Sequence, residues 1–351
     1  ILSLIAILFI LGLFFSLVST SIIASDRLDT NSYYFFLKHL IFVVLGVLII
    51  FFLSIINQEI IVKLSIFLFF ITFLSLLLVP IIGVEVKGSK RWLDLGPFPR
   101  FQPIEILKPF FVILVSFILS LNIKKLYLKY LISIFVLIPI VILLLSQPDL
   151  GQTLLIFSVW LAIIFVSGIN LLLFCFSLFF ISFLTFFLIF FVPKFQYIKI
   201  RVMAFLDNSG GNNYQADKAS DAISSGGIFG KGIGEGTLNS RIPEAHTDYI
   251  MSVIAEEFGV IIVISIILIY LIFSYTVLKK LNFTNNNNFK LILVGCVTIL
   301  LVQTFIHLGV NIRMLPTTGM TMPFLSYGGS SIIGTAILSG IILNLTKRKL
   351  S

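Results

Sequence analysis

The sequence predicts an all-α integral membrane protein. It reads as one polytopic membrane domain over residues 1–351 with about ten transmembrane helices, both termini cytoplasmic, and a large external loop between helices seven and eight. Three observations predict this. Hydrophobic residues make up 59% of the chain, where soluble proteins carry roughly 45 to 50%. Charged residues make up 11%, too few to cover a water-facing surface of this size. The charges that exist fall between long uncharged runs. A net charge of +9 would suggest nucleic acid in a soluble chain; here membrane topology accounts for it, and no nucleic-acid partner is expected.

Taken in order, the runs free of Asp, Glu, Lys and Arg are 1–25, 39–58, 64–84, 109–123, 130–148, 150–193, 258–278, 291–312 and 314–346. A helix needs about 20 residues to cross the ~30 Å hydrocarbon layer. The run 150–193 is long enough for two spans, and Ser167-Gly168-Ile169-Asn170 supplies a turn near its middle. The count is therefore ten. The first run lacks a basic flank and a small-residue cleavage site, so it reads as a span and not a signal peptide, and a start at Ile1 implies sequence ahead of it. Cys175 and Cys296 both lie inside apolar runs, so neither a disulfide nor a metal site is expected of them.

An even number of spans puts both ends on one side. Lys124, Lys125 and Lys129, then Lys279, Lys280 and Lys290, then Lys347, Arg348 and Lys349 fall on that side, which the positive-inside rule makes cytoplasmic. Asn285 to Asn288 read as a polar linker there. The opposite face carries the long connections 83–103, 194–247 and 313–327, and function is expected on them.

The loop 83–103 holds Lys87, Lys90, Arg91 and Arg100, the charge sign an external loop disfavours. Anion binding explains that cost better than local pairing to Glu85 and Asp94, and Trp92 suits an interfacial anchor. Glu105 and Lys108, three apart, share a helical face at the mouth of span four. They, Asp149, and Glu256-Glu257 about two turns into span eight are ionisable groups at membrane depth, and structural pairing is favoured over chemistry for all three. The glycine run 226–236 is not a phosphate-binding loop, because Lys231 is followed by Gly232 and no Gly stands five residues before Gly230. It reads as tight turns fixing the loop over the membrane mouth.

The long loop ends in Pro243-Glu244-Ala245-His246-Thr247-Asp248-Tyr249. Thr247 can cap the following helix and Asp248 falls in its first turn. Capping alone is a sufficient role, yet Glu244 is an additional acid, and Asp248 is expected at the outer membrane boundary facing the loop cations. Residues 315–319 and 323–331 form a re-entrant stretch of small and turn-forming residues, and irregular backbone at that depth implies a protein-lined cavity.

Gly88-Ser89-Lys90-Arg91-Trp92-Leu93, Phe101-Gln102-Pro103-Ile104-Glu105-Ile106-Leu107-Lys108-Pro109, Gln147-Pro148-Asp149-Leu150-Gly151, Glu244 to Tyr249 with Ala255-Glu256-Glu257-Phe258-Gly259, and Pro323 to Ser331 together resemble the bacterial SEDS (shape, elongation, division and sporulation) family. The resemblance runs in order over nearly the whole chain, and the stretch 315–331 resembles the division branch more than the elongation branch. It implies ten transmembrane helices with both ends cytoplasmic. It also implies a peptidoglycan glycosyltransferase that polymerises lipid II at the external face of the cytoplasmic membrane, in septal synthesis during division. By this resemblance Asp248 matches the essential aspartate and Arg91 and Arg100 match required loop cations. Glu105 and Lys108 fall in a Gln-Pro-x-Glu-x-x-Lys pattern, where Ile104 departs from the smaller residue of many relatives. Ser326, His246 and Glu244 complete the candidate substrate-binding set. The implied partners are a class B penicillin-binding transpeptidase and other division or elongation proteins.

The residues agree with a transferase. A lipid diphosphate leaves readily once cations such as Arg91 and Arg100 neutralise it. The incoming sugar hydroxyl needs a base, whereas a glycosidase needs a matched carboxylate pair. Asp248 is expected to deprotonate the acceptor 4-hydroxyl during inverting attack, oriented by His246 and Glu244. A divalent cation, Mg or Mn, suits a diphosphate, although no ligand cluster demands one. Two rivals stand beside this reading. One is a lipid II flippase with Lys108, Asp149, Glu256 and Glu257 as a polar path, which the short cytoplasmic connections disfavour. The other is a non-catalytic division scaffold, which predicts no sensitivity at Asp248 beyond helix stability.

Overall fold

The computed structural model describes residues 1–28, 33–86, 88–94, 96, 99–123, 126–206, 214–238, 242 and 244–347. Lys87, Lys124, Lys125, Pro243, Arg348 and Lys349 lie outside the described residues. In chain order the elements are α1 (Leu2–Leu28), α2 (Tyr34–Ile55), α3 (Gln58–Ile82), β1 (Val84–Val86), β2 (Ser89–Trp92), α4 (Pro103–Ser120), α5 (Leu126–Ser146), α6 (Leu150–Val166) and α7 (Leu171–Phe191). After these come α8 (Gln196–Leu206), α9 (Tyr214–Gly226), α10 (Ile250–Lys279), α11 (Asn287–Asn311) and α12 (Gly329–Thr346). Helix is the form such apolar runs must take in lipid, since it satisfies every backbone group within the segment.

Among the described residues nine helices are long and apolar enough to cross a membrane, and the tenth expected span, α6, is a shorter apolar helix of 17 residues. The turn expected at Ser167–Asn170 is present: α6 ends at Val166, Gly168 takes φ +89°, and the Asn170 side chain accepts from Leu172 N at 2.9 Å before α7 begins. Span four starts at Pro103, six residues ahead of the uncharged run, because Glu105 and Lys108 neutralise each other inside the helix at 2.8 Å.

α4 is the centre of the bundle. Most of its length is buried, and α3, α5, α6, α11 and α12 pack around it, while α2 lies along α12 and α1 along α2 and α10. α7 sits at the edge, with its main contacts to α8 and the 3₁₀ turn that precedes it. The hairpin β1–β2 closes the connection from α3 to α4. Leu93 pairs with Phe101 beyond it, so the chain is led from β2 into α4 with Arg91 held on the second strand.

α10 is two helices joined by a break. Gly259 takes φ +80° and ψ 174°, a conformation essentially restricted to glycine. A break inside an apolar helix leaves backbone groups unpaired, and the glycine run 226–236 supplies their partners. Lys231 N donates to Glu256 O at 2.9 Å and Gly232 N to Glu257 O at 3.0 Å, while Val260 N donates to Gly227 O at 3.0 Å. The run therefore forms turns as expected, and they are docked into the break. Glu256 and Glu257 precede the break, so they are not two turns into a continuous span. Residues 260–279 alone are long enough to cross ~30 Å.

Candidate functional site

The turn ahead of α10 is wound differently from the expectation. Glu244 takes φ +58°, and its carbonyl accepts from Thr247 N at 3.1 Å and from Asp248 N at 3.0 Å. The Thr247 hydroxyl bonds the Glu244 carbonyl and carboxylate, both at 3.2 Å. Thr247 is therefore spent inside the turn and does not cap α10, whose N-cap is Tyr249 without a side-chain cap and whose first turn holds no acid. Asp248 lies before the helix. The left-handed Glu244 is the physical reason: it closes an extra turn, which delays the start of α10 to Ile250. Burial raises the pKa of the neighbouring Tyr249 phenol, with the Asp248 charge adding to it.

The connection 312–328 is stitched to this turn by backbone bonds. Ser326 Oγ donates to Thr247 O and accepts from Met322 N at 2.7 Å, and Tyr327 N donates to His246 O at 3.0 Å. Asn311 Nδ2 reaches Asp248 O at 3.2 Å and His307 O at 2.7 Å. Phe324, three residues before Tyr327, packs on Phe9, Tyr270 and Phe273, partway along α1 and α10. Three residues span at most about 10 Å, so the turn carrying Asp248 is tied to a segment anchored in the bundle interior. Ser326 is 1% exposed with its hydroxyl engaged on both sides; it braces the turn and presents no free surface. His246 places its ring 5.6 Å from both Phe35 and Tyr327.

Gly319 is where the two halves of the site meet. It takes φ +68°, and the position its missing Cβ would occupy is 3.4 Å from Asp248 Oδ2 and 3.8 Å from Arg91 Nη1. Arg91 is fixed from behind: Nε donates to Gln147 O at 3.1 Å, Nη2 donates to Pro148 O, and Asp149 Oδ2 lies 3.7 Å from Nε. Asp149 caps α6 through Gln152 N at 3.3 Å and accepts from Gln102 Nε2 at 3.0 Å. Burial pushes its pKa up, and the Arg91 guanidinium opposes that.

The other predicted residues do not join this point. Arg100 is more than half exposed and pairs with Asp94 at 2.9 Å; that bond, with a second from Gly96 N, holds the Asp94 carboxyl below its usual pKa. Glu105 and Lys108 are buried as a pair, with Gln152 Nε2 donating to Glu105 and Lys108 Nζ to Gln303 Oε1 at 3.0 Å. Gln303 Nε2 in turn donates to Thr321 O at 2.9 Å. The pair lines a cavity of about 10 Å³ with Gln303 and Thr335, room for about one water. It thus ties α4 to the connection carrying Gly319 without opening onto the site. Glu256 accepts from Lys231 Nζ at 3.2 Å and from the amides of Thr237 and Leu238 at 3.0 Å. Lys108, Asp149, Glu256 and Glu257 each have partners inside the protein, as structural pairing requires.

Gln303 was absent from the sequence reading, and nothing local marks it. Gln147 entered only as part of a motif and Gly319 only as a turn-forming residue, although a glycine directly after Thr317-Thr318 in a re-entrant stretch was a usable sign of close backbone approach. Among the described residues no group of three or more His, Cys, Asp or Glu side chains converges to hold a metal ion.

The family model described as "Cell cycle protein", covering FtsW, RodA and SpoVE, matches residues 1–350. The chain is 30% identical to the probable peptidoglycan glycosyltransferase FtsW of Caulobacter vibrioides, over 98% of this chain and 87% of that protein. It is 34% identical to the protein of the same description from Wigglesworthia glossinidia brevipalpis, over 92% and 89%. Among solved structures it is similar to a chain of a peptidoglycan synthase complex that coordinates polymerization and crosslinking, with a TM-score of 0.81, 28% identity, and coverage of 98% and 96%. It is also similar to the rod shape determining protein RodA of Thermus thermophilus, with a TM-score of 0.70, 25% identity, and coverage of 98% and 95%.

Proposed function

This chain belongs to the FtsW/RodA/SpoVE family of cell cycle proteins, and we propose that it is a peptidoglycan glycosyltransferase that polymerises lipid II, with Asp248 as its base. The observation that carries this reading is the meeting of an acid and a cation at Gly319, a position with no side chain to fill the gap. In the proposed step the acceptor 4-hydroxyl gives its proton to Asp248, and its oxygen bonds the donor anomeric carbon from the face opposite the leaving group. The bond from that carbon to the diphosphate breaks, and the lipid diphosphate departs with its charge met by Arg91. Arg91 is suited to this because two backbone carbonyls fix its guanidinium in advance, so little reorganisation is left for the reaction.

Lysine positions support a site on the external face of the cytoplasmic membrane. Lys129 reaches Leu119 O at the far end of α4, Lys347 reaches Ser54 O and Ile56 O, and Lys279 ends α10. All are at the helix ends away from Asp248, and cations favour the cytoplasmic side. The many FtsW relatives favour a role in division, and the likeness to a chain of a polymerising and crosslinking complex favours a class B penicillin-binding transpeptidase as partner. The test is purified protein, alone and with that transpeptidase, in liposomes supplied with lipid II. Glycan strands are the expected product, and lipid II translocated but left unpolymerised by both preparations would replace this reading with the flippase.

A further inference from the structure

A second arginine, Arg201, lies within electrostatic reach of Arg91 and has no part in the glycosyl-transfer step. The Tyr197 hydroxyl donates to Leu145 O at 3.1 Å, which docks α8 on the last turn of α5. Arg91 binds the carbonyls of Gln147 and Pro148, just beyond that turn. Arg201 follows Tyr197 by four residues and so shares its helical face, turned to the same chain end. Burial, and next the neighbouring Arg91 guanidinium, press the Arg201 pKa below its ordinary value, and an arginine remains charged throughout.

Arg201 has no ion pair or hydrogen bond among the described residues. The carboxylate nearest to it in effect, Asp149, already serves Arg91, Gln102 and the N-terminus of α6. Two guanidiniums lie within electrostatic reach of one carboxylate that only Arg91 engages, and such an excess of positive charge at a half-buried place favours an arriving polyanion. The cation that sequence reasoning paired with Arg91 was Arg100, which faces solvent and is engaged by Asp94.

We propose that Arg201 and Arg91 form a two-arginine clamp for the diphosphate of the lipid-linked substrate, Arg201 being a binding residue that neither motif nor loop charge indicated. The inference rests on the glycosyl-transfer reading and deepens it by naming the second group that meets the leaving diphosphate. A guanidinium fork can take two phosphate oxygens, so two forks match the two phosphoryl groups.

The experiment measures binding of undecaprenyl diphosphate and undecaprenyl monophosphate to purified protein in nanodiscs, for wild type, Arg201→Gln and Arg201→Lys. The Gln variant is expected to bind the diphosphate about tenfold or more weakly, with a smaller loss for Lys and a smaller effect on the monophosphate. Equal diphosphate affinity for wild type and Arg201→Gln overturns the clamp. Arginine-selective dicarbonyl labelling of the unmutated protein gives an answer even if the Gln variant does not fold. Saturating diphosphate lipid is expected to protect Arg91 and Arg201 together, and undiminished labelling of Arg201 overturns the proposal. Inorganic diphosphate serves as competitor, and displacement at concentrations equal to the lipid's would overturn its assignment to a lipid headgroup. Lipid II polymerisation is followed in parallel. Arg201-dependent binding without polymerisation retains the clamp and removes the catalytic reading; polymerisation with unchanged KM in Arg201→Gln does the reverse.

Discussion

The carboxylate of Asp248 and the guanidinium of Arg91 flank one backbone position, 3.4 Å and 3.8 Å from the point where a Cβ of Gly319 would sit. Each is held from a different side. Asp248 rides on a turn pinned by Ser326, Tyr327 and Asn311, while Arg91 is clamped on the carbonyls between α5 and α6. Since Gly319 belongs to the same connection as Ser326 and Tyr327, one segment sets both the position of the acid and the width of the gap.

Asp248→Asn should therefore abolish strand synthesis without a stability penalty. Asparagine keeps the shape but cannot take the proton, and loss of a general base lowers rate by about 10² to 10⁴-fold. Because Asp248 precedes α10 and is not in its first turn, the helix-end role that a scaffold reading needs is removed. The measurements are glycan strands made from lipid II and thermal unfolding of the same preparations. Near-normal synthesis would end the catalytic assignment.

The two loop arginines should separate. Arg91→Gln removes a largely buried guanidinium 3.8 Å from the Gly319 gap, and the expected result is a rise in KM for lipid II of about tenfold or more. Arg100→Gln removes one half of an exposed pair, which contributes little, and the expected change is much smaller. Initial rates at limiting lipid II check both. Equal losses in the two variants would place Arg100 at the substrate as well.

The bundle was legible because uncharged runs of sufficient length admit few other readings, and even the turn at Ser167–Asn170 followed from its residue types. The start of α4 was not, since charge counting treats Glu105 and Lys108 as a boundary when in fact they cancel inside the helix. The break at Gly259 was invisible for a related reason: a glycine in a long apolar run is usually tolerated in a helix, and what makes this one a break is the docked run 226–236. The candidate acid was found through its motif. Its convergence with Arg91 at Gly319 depends on three loops far apart in sequence, which no local pattern encodes, and Arg100 was named and Arg201 not considered because loop charge says nothing of which cation is already paired.

Glu105 and Lys108 should behave as a unit. Both are nearly fully buried, and removing one partner of such a pair typically costs 3–5 kcal/mol because the other charge is left uncompensated. Lys108→Met is expected to melt well below wild type, and adding Glu105→Gln to it should recover most of the loss. Thermal unfolding of the single and double variants checks this, and a double variant no more stable than Lys108→Met would contradict the pairing account. Strand synthesis by the recovered double variant is the second readout: activity near wild type is expected if the pair only ties α4 to Gln303 and Thr321.

Gly259→Ala tests whether the break in α10 holds the site together. The added Cβ would lie 2.2 Å from Ile228 O and 2.5 Å from Gly230 N, far inside contact distance, and alanine cannot rest at φ +80° and ψ 174° without a strain of about 1–3 kcal/mol. Either the docked run is expelled or the helix straightens. Expulsion strips Val260 N, Glu256 O and Glu257 O of their partners, and straightening swings residues 250–258 away from the connection that binds His246 and Thr247. Both routes displace Asp248 from Gly319, so strand synthesis should fall together with thermal stability although the substituted residue touches neither Asp248 nor Arg91. Ile228→Ala is the control, because it trims an exposed side chain and leaves the backbone bonds in place. Hydrogen exchange at Val260 and Ile261 should speed up in Gly259→Ala and stay slow in Ile228→Ala. If Gly259→Ala instead kept wild-type melting, exchange and synthesis, the docked glycine run would not be what positions the acid.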